Sequence, residues 1–142
     1  MVGLRARRLI DGGVDLIHGH SSHHPRPVEV YRGKLVVYGC GDFIDDYGGI
    51  GGYEEFRDDL RLLYLTSVVQ DTGTLDALRM VRMQAARMRL RHASTADIEW
   101  LRRVLETISS GCRVSRQPDG VLAIRPTPAR PVSPPFADAG PA

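Results

Sequence analysis

A pair of glycines, Gly12-Gly13, separates an amphipathic stretch at residues 4–11 from the apolar run Val14-Asp15-Leu16-Ile17. Leu4, Leu9 and Ile10 give the first stretch a helical stripe, and glycine is favoured just past a helix end because it takes a left-handed backbone without steric cost. Helix, two-residue break and strand at 14–17 make half of an α/β unit. A parallel strand is normally flanked by others. The expectation is therefore that strands preceding this unit in a longer protein complete its sheet.

The remainder reads as alternating short elements. Residues 28–31 and 35–38 form a hairpin around Arg32-Gly33-Lys34, with Gly33 in the turn. Gly39 to Phe43 leaves it, and a glycine-rich loop at 47–53 follows, read as a flexible connection or a lid over a site. Residues 62–69 and 74–83 are strands separated by a turn carrying Asp71 and Gly73. Ser94 caps a helix that runs to about 109 and buries Ile98, Leu101, Leu105 and Ile108, with Asp97 completing the cap and Gly111 ending it. Residues 112–116 and 121–124 close the fold as a hairpin around Pro118-Asp119-Gly120. The fold class is α/β (α+β). One domain spans residues 1–125, and 126–142, crowded with Pro126, Pro128, Pro131, Pro134 and Pro135, is a disordered tail.

Charge and cysteine usage narrow the function classes. Net charge is +2, yet of 19 basic residues only Lys34 is lysine. Arg79, Arg82, Arg87, Arg89 and Arg91 alternate with Leu78, Met80, Met83, Met88 and Leu90, the pattern of a strand with one solvated face. No aromatic residue interleaves to stack bases, so nucleic acid is not an expected partner. Cys40 and Cys112 lack the spacing of a zinc ribbon or redox pair. No window holds the roughly 18 apolar residues of a membrane span, and residues 1–8 lack a signal peptide's apolar core. A soluble, cytoplasmic protein is the default expectation.

Four of the five histidines, His18, His20, His23 and His24, fall within seven residues just beyond the strand at 14–17. Ligands bind at the carboxyl ends of strands in α/β sheets, and imidazoles on one loop can converge on a divalent metal ion. Gly19 is read as a tight turn that lets His20 face inward. Ser21 and Ser22 offer hydroxyls to support a ligand. A histidine-rich surface loop is the bland alternative. Asp42, Asp45 and Asp46 are candidate carboxylates for a two-metal hydrolytic site, or plain loop carboxylates.

The run from Ile10 through His18-Gly19-His20 and His23, the segment Val28-Glu29-Val30-Tyr31-Arg32-Gly33-Lys34 and the turn Gly41-Asp42-Phe43 together resemble the carboxy-terminal motif of the CapA (poly-γ-glutamate capsule synthesis) family. That motif comprises a strand, Gly-His-x-x-His, a Glu-x-Tyr-x-Gly hairpin and a Gly-Asn/Asp-Phe turn. The resemblance covers about a third of the chain and is specific by its ungapped spacing. It implies a divalent metal held by His20 and His23, with Asp42 beside the site. His18 and His24 match no motif position. Ser21-Ser22 stands where the family often has His-Pro, and Arg26 where it often has glutamine. These departures imply a substrate that offers Arg26 an anionic group.

The fold implied is the carboxy-terminal part of a calcineurin-like metallophosphoesterase sandwich. The family's amino-terminal Gly-Asp and Asn-Asn-His motifs have no counterpart in this sequence, so a fragment or a remnant is expected. In a full-length protein the implied activity is metal-dependent hydrolysis acting on a small molecule or polymer, with the fragment inactive alone. The alternative is a non-catalytic module that binds a partner. Strands without neighbours also imply self-association.

Overall fold

A computed structural model describes residues 2–20, 22–44, 57–87 and 89–127. Helix α1, Val2–Asp11, ends where Gly12 N–H donates to Arg8 O at 3.0 Å and Val14 N–H reaches back to Leu9 O at 3.1 Å. Gly13 takes φ 101°, the left-handed conformation that closes a helix. Because Val14 spends its N–H on the helix end, strand β1 spans Leu16–His18 and starts two residues later than the sequence suggests.

Strands β2, Val28–Tyr31, and β3, Lys34–Val37, pair antiparallel, and β1 lies parallel to β3 on its other side. Their turn uses Arg32 at φ 50° and Gly33 at φ 76°, the double left-handed geometry of a two-residue hairpin. In this three-stranded sheet, ordered β1-β3-β2, β2 and β3 are buried on both faces and β1 is largely exposed. Val36 packs with Ala6 and Ile10 of α1, whereas Val28, Val30, Leu35 and Val37 join the main core. Glu29, only 4% exposed, accepts from Arg7 Nε at 2.8 Å and from the Tyr38 hydroxyl at 2.5 Å. A buried carboxylate is tolerable only when hydrogen-bonded and paired, so these contacts fasten α1 to the sheet.

The second sheet contains β4 (Leu60–Val68), β5 (Leu75–Ala86), β6 (Arg89–His92), β7 (Cys112–Arg116) and β8 (Leu122–Pro126). Its order is β4-β5-β8-β7, with β6 returning alongside the end of β5. The sequence reading stops the second of these strands at Met83 and has no β6, because the turn at Arg87 (φ 49°) carries no glycine or asparagine to announce it. Leu60, Leu62, Leu78, Met80, Leu122 and Ile124 bury against the first sheet and helix α2, Thr95–Ile108. Among the described residues, the two sheets and α2 share the main core and α1 packs on Val36 of the first sheet, an α+β fold.

Helix α2 begins with the reciprocal cap expected of Ser94 and Asp97, and buries Ile98, Leu101 and Leu105. Hydrogen bonds from Ser94 lower the Asp97 pKa, reinforced by Arg57. Ile108, expected in the core, is 41% exposed. The helix stops there, and the chain swings from Ser109 toward β2, where Ser110 exchanges backbone bonds with Val28 and Val30. A side chain at Gly111 would lie 2.1 Å from Val30 O, so that approach requires glycine. The last hairpin continues past the expected boundary at 125, with Thr127 N–H bonded to Gly111 O. The glycine-rich loop at 47–53, Asp45, Asp46, Ser21, Met88 and the tail at 128–142 lie outside the described residues. No described helix is long and apolar enough to cross a membrane.

Candidate functional site

The histidine loop leaves the carboxyl end of β1 and returns at β2, lying across the exit of β3. Gly19 N–H donates to Val37 O at 2.7 Å, and Arg26 N–H to Gly39 O at 3.0 Å, pinning both ends. A Cβ at Gly19 would fall 2.3 Å from Tyr38 O, and one at Gly39 2.3 Å from Ser22 Oγ. Glycine at 19 therefore serves close approach to β3. It is not among the positive-φ glycines, so the turn role read from the sequence is not what demands it. Gly41, at φ 71°, brings the chain under His24 and aims Asp42 back at the loop.

That folding brings His23 and Asp42 together, with Nδ1 and Oδ2 2.8 Å apart. Arg61, on β4, donates from Nη1 to the His23 carbonyl at 3.0 Å and lies 3.6 Å from Asp42 Oδ2. Its residue is only 9% exposed. One buried guanidinium thus holds both the backbone of the histidine and the carboxylate facing its ring. In the tautomer that donates Nδ1–H to Asp42, the Nε2 lone pair is the one that can ligate a metal or accept a proton. Carboxylate-oriented imidazoles of this kind are a recurring arrangement behind metal ligands.

The other candidate residues divide. His20 and Arg26 are exposed on the same loop. His24 is half-buried, and burial, then the Arg26 charge, lower its pKa and favour the neutral ring. The Ser22 hydroxyl oxygen is buried with no hydrogen-bond partner among the described residues. His18 points instead into a groove of about 340 Å³ between the sheets, with Leu16, Cys40, Phe43 and Tyr64. Burial raises the pKa of both the Cys40 thiol and the Tyr64 hydroxyl in that groove.

Among the described residues no three His, Cys, Asp or Glu side chains gather as a metal-binding set. His23 with Asp42 suits one oriented ligand, whereas a catalytic zinc-type site takes three from the protein. Sequence reasoning missed Arg61. Its signal was a lone arginine in the apolar run Leu60-Arg61-Leu62-Leu63, a position that buries charge only for a purpose. Glu29, in the hairpin motif, proves to be an anchor for α1.

Residues 5–47 match the family described as Bacterial capsule synthesis protein PGA_cap. Two proteins of Mycobacterium tuberculosis, from strains CDC 1551 / Oshkosh and ATCC 25618 / H37Rv, are each named "Probable polyglutamine synthesis accessory protein". Each is 56% identical to this chain over 123 residues, which is 85% of this chain and 32% of the relative. The "PGA biosynthesis protein CapA" of Bacillus subtilis (strain 168) is 44% identical over 43 residues, 30% of this chain and 11% of the relative. The chain thus spans about a third of the mycobacterial relatives' length. The resemblance to the CapA family read from the histidine and hairpin motifs is borne out, and similarity to the mycobacterial proteins extends into the second sheet.

Proposed function

We propose, from the kinship of residues 5–47 with the bacterial capsule synthesis family, that this chain is the part of a capsule- or polyglutamate-synthesis protein that carries the histidine loop of a divalent-metal site. The observation that carries this reading is the orientation of His23 by Asp42, with Arg61 holding both. His23 and His20 are the metal ligands this chain contributes, and further ligands come from the rest of a longer, metallophosphoesterase-like protein. When bound, a divalent ion supplies an activated water and charge stabilisation for hydrolysis of a phosphoester or related bond. Arg26, exposed at the loop, offers a guanidinium to an anionic group of the substrate. Asp42 fixes the His23 tautomer and holds the ring against rotation.

Two ligands do not make a catalytic site, so the 142-residue chain by itself has negligible turnover on phosphoesters. The test is made in the source organism. His23→Ala in the native protein lowers the amount of capsular or polyglutamate polymer made, at unchanged protein level. Unaltered polymer yield contradicts the reading. A specific feature favours a second reading, a partner-binding module: β4 ends its sheet and leaves Leu63, Leu65 and Val68 exposed. Retained polymer synthesis in the His23 variant, with loss on Leu65→Lys, selects that alternative.

A further inference from the structure

The far end of the β5–β6 hairpin carries three exposed arginines within five residues. Arg87 sits in the turn, and Arg89 and Arg91 alternate along β6, so the latter two project from the same face, about 7 Å apart by strand rise. Several other arginines are matched with acids: Arg7 with Glu29, Arg57 with Asp59 and Asp97, Arg79 with Asp119, Arg102 with Glu99. Arg87, Arg89 and Arg91 have no ion pair among the described residues. Arg91 Nε instead donates to the neutral Gln84 Oε1 at 3.1 Å, which positions the guanidinium without neutralising it. Opposite Arg89 in the ladder stands Ala86, and the two arginines, Arg87, Ala86 and Leu90 together line a shallow depression.

We propose that this hairpin end is a docking site for a polycarboxylate chain, with Arg87, Arg89 and Arg91 as its anion-binding groups. Guanidinium forks match carboxylates bidentately and stay charged at any working pH. Among the described residues the lining has no aromatic ring, so nucleic acid would gain charge attraction there but no stacking platform. A polymer of repeated acidic side chains presents carboxylates to successive arginines with nothing to stack. The identity of the occupant as a glutamate polymer rests on the polymer-synthesis reading above. The site lies on the second sheet, whereas the metal reading concerns the loop at the first.

The test uses the full 142-residue chain, with chelator present so that the result stands whatever becomes of the metal reading. Binding of fluorescently labelled poly-γ-glutamate is followed by anisotropy at low salt, beside neutral polyglutamine and a single-stranded DNA of equal charge. The expected result is saturable binding of poly-γ-glutamate, none of polyglutamine, and weaker binding of DNA. Arg87→Gln/Arg89→Gln/Arg91→Gln lowers affinity about tenfold, as three exposed contacts each worth two- to threefold would. The control Arg5→Gln/Arg8→Gln/Arg113→Gln removes equal charge from other exposed positions and changes affinity by less than about twofold. Both variants are checked for parental thermal unfolding, and Arg87→Lys/Arg89→Lys/Arg91→Lys keeps the charge should the glutamine variant fail to fold. Partial binding by the lysine variant supports the site. Equal losses in the glutamine variant and the control, full binding by the lysine variant, or DNA binding as tight as poly-γ-glutamate overturns the proposal.

Discussion

His23 and Asp42, nineteen residues apart, face one another at 2.8 Å between Nδ1 and Oδ2. The pair joins the two motifs that drew attention in the sequence, the histidine loop and the Gly-Asp-Phe turn. Its geometry exists because Gly19 and Gly41 let chain segments lie in backbone contact and Gly39 leaves room for the Ser22 and Arg26 side chains. An imidazole so held presents one nitrogen in a fixed direction, the property a metal ligand requires.

Asp42→Asn tests that pairing. The amide keeps the shape and loses the charge, so divalent metal affinity falls about ten- to a hundredfold, the usual effect of removing a carboxylate behind a ligating histidine. Isothermal titration with zinc or manganese reads the change. Unaltered affinity would show that the pair is structural only.

Arg61→Met should destabilise the chain whether or not metal is present. The guanidinium's bond to the His23 carbonyl is lost, and Asp42 loses a neighbouring charge. A buried charged hydrogen bond of this kind is worth about 2–3 kcal/mol. Urea unfolding of the metal-free chain measures it, and a loss under about 0.5 kcal/mol contradicts the role assigned to Arg61.

Alkaline pH should loosen α1 from the sheet. Burial, then the bond to Glu29, raises the Tyr38 pKa from 10.0 to about 12. A raised pKa contributes stability that is complete below the unfolded value and lost as pH climbs through the folded one. Stability therefore declines between pH 10 and about 12. Tyr64 is raised as well and adds to the decline, so the diagnostic is the difference between Tyr38→Phe and the parent. The variant shows a shallower loss in thermal melts across that range. Identical profiles rule the linkage out.

Much of the fold was legible because local chemistry and final structure agree. Ser94 with Asp97 marks the start of α2, Arg32-Gly33 the first hairpin, and Asp119-Gly120 the last. Where local signals are silent, the reading fails: nothing at Arg87 or its neighbours is a turn residue, so β6 went unseen. Ile108 follows the helical stripe yet lies outside the core, since periodicity cannot tell where the chain will leave a helix. The histidine loop was legible as a cluster of ligand-type residues. Arg61 was not, because its meaning depends on a contact 38 residues away that only the packing of two sheets creates.

The edge of β4, unpaired among the described residues, carries its own prediction. Leu63, Leu65, Val68 and Val69 are 38–46% exposed beside a strand edge, the combination that promotes pairing with another chain. Sedimentation velocity should show association that grows with concentration, and Leu63→Lys/Leu65→Lys should suppress it. A monomer at all concentrations refutes this.

The most direct test of the central claim is a titration of the metal-free chain with zinc, followed through the ring resonances of its five histidines by NMR. The account predicts that His23 and His20 respond first and together. It also predicts that His23→Ala abolishes the response at His20, and that His92, on the second sheet, is unmoved. Binding that spares His23, or no saturable response at the loop, contradicts it.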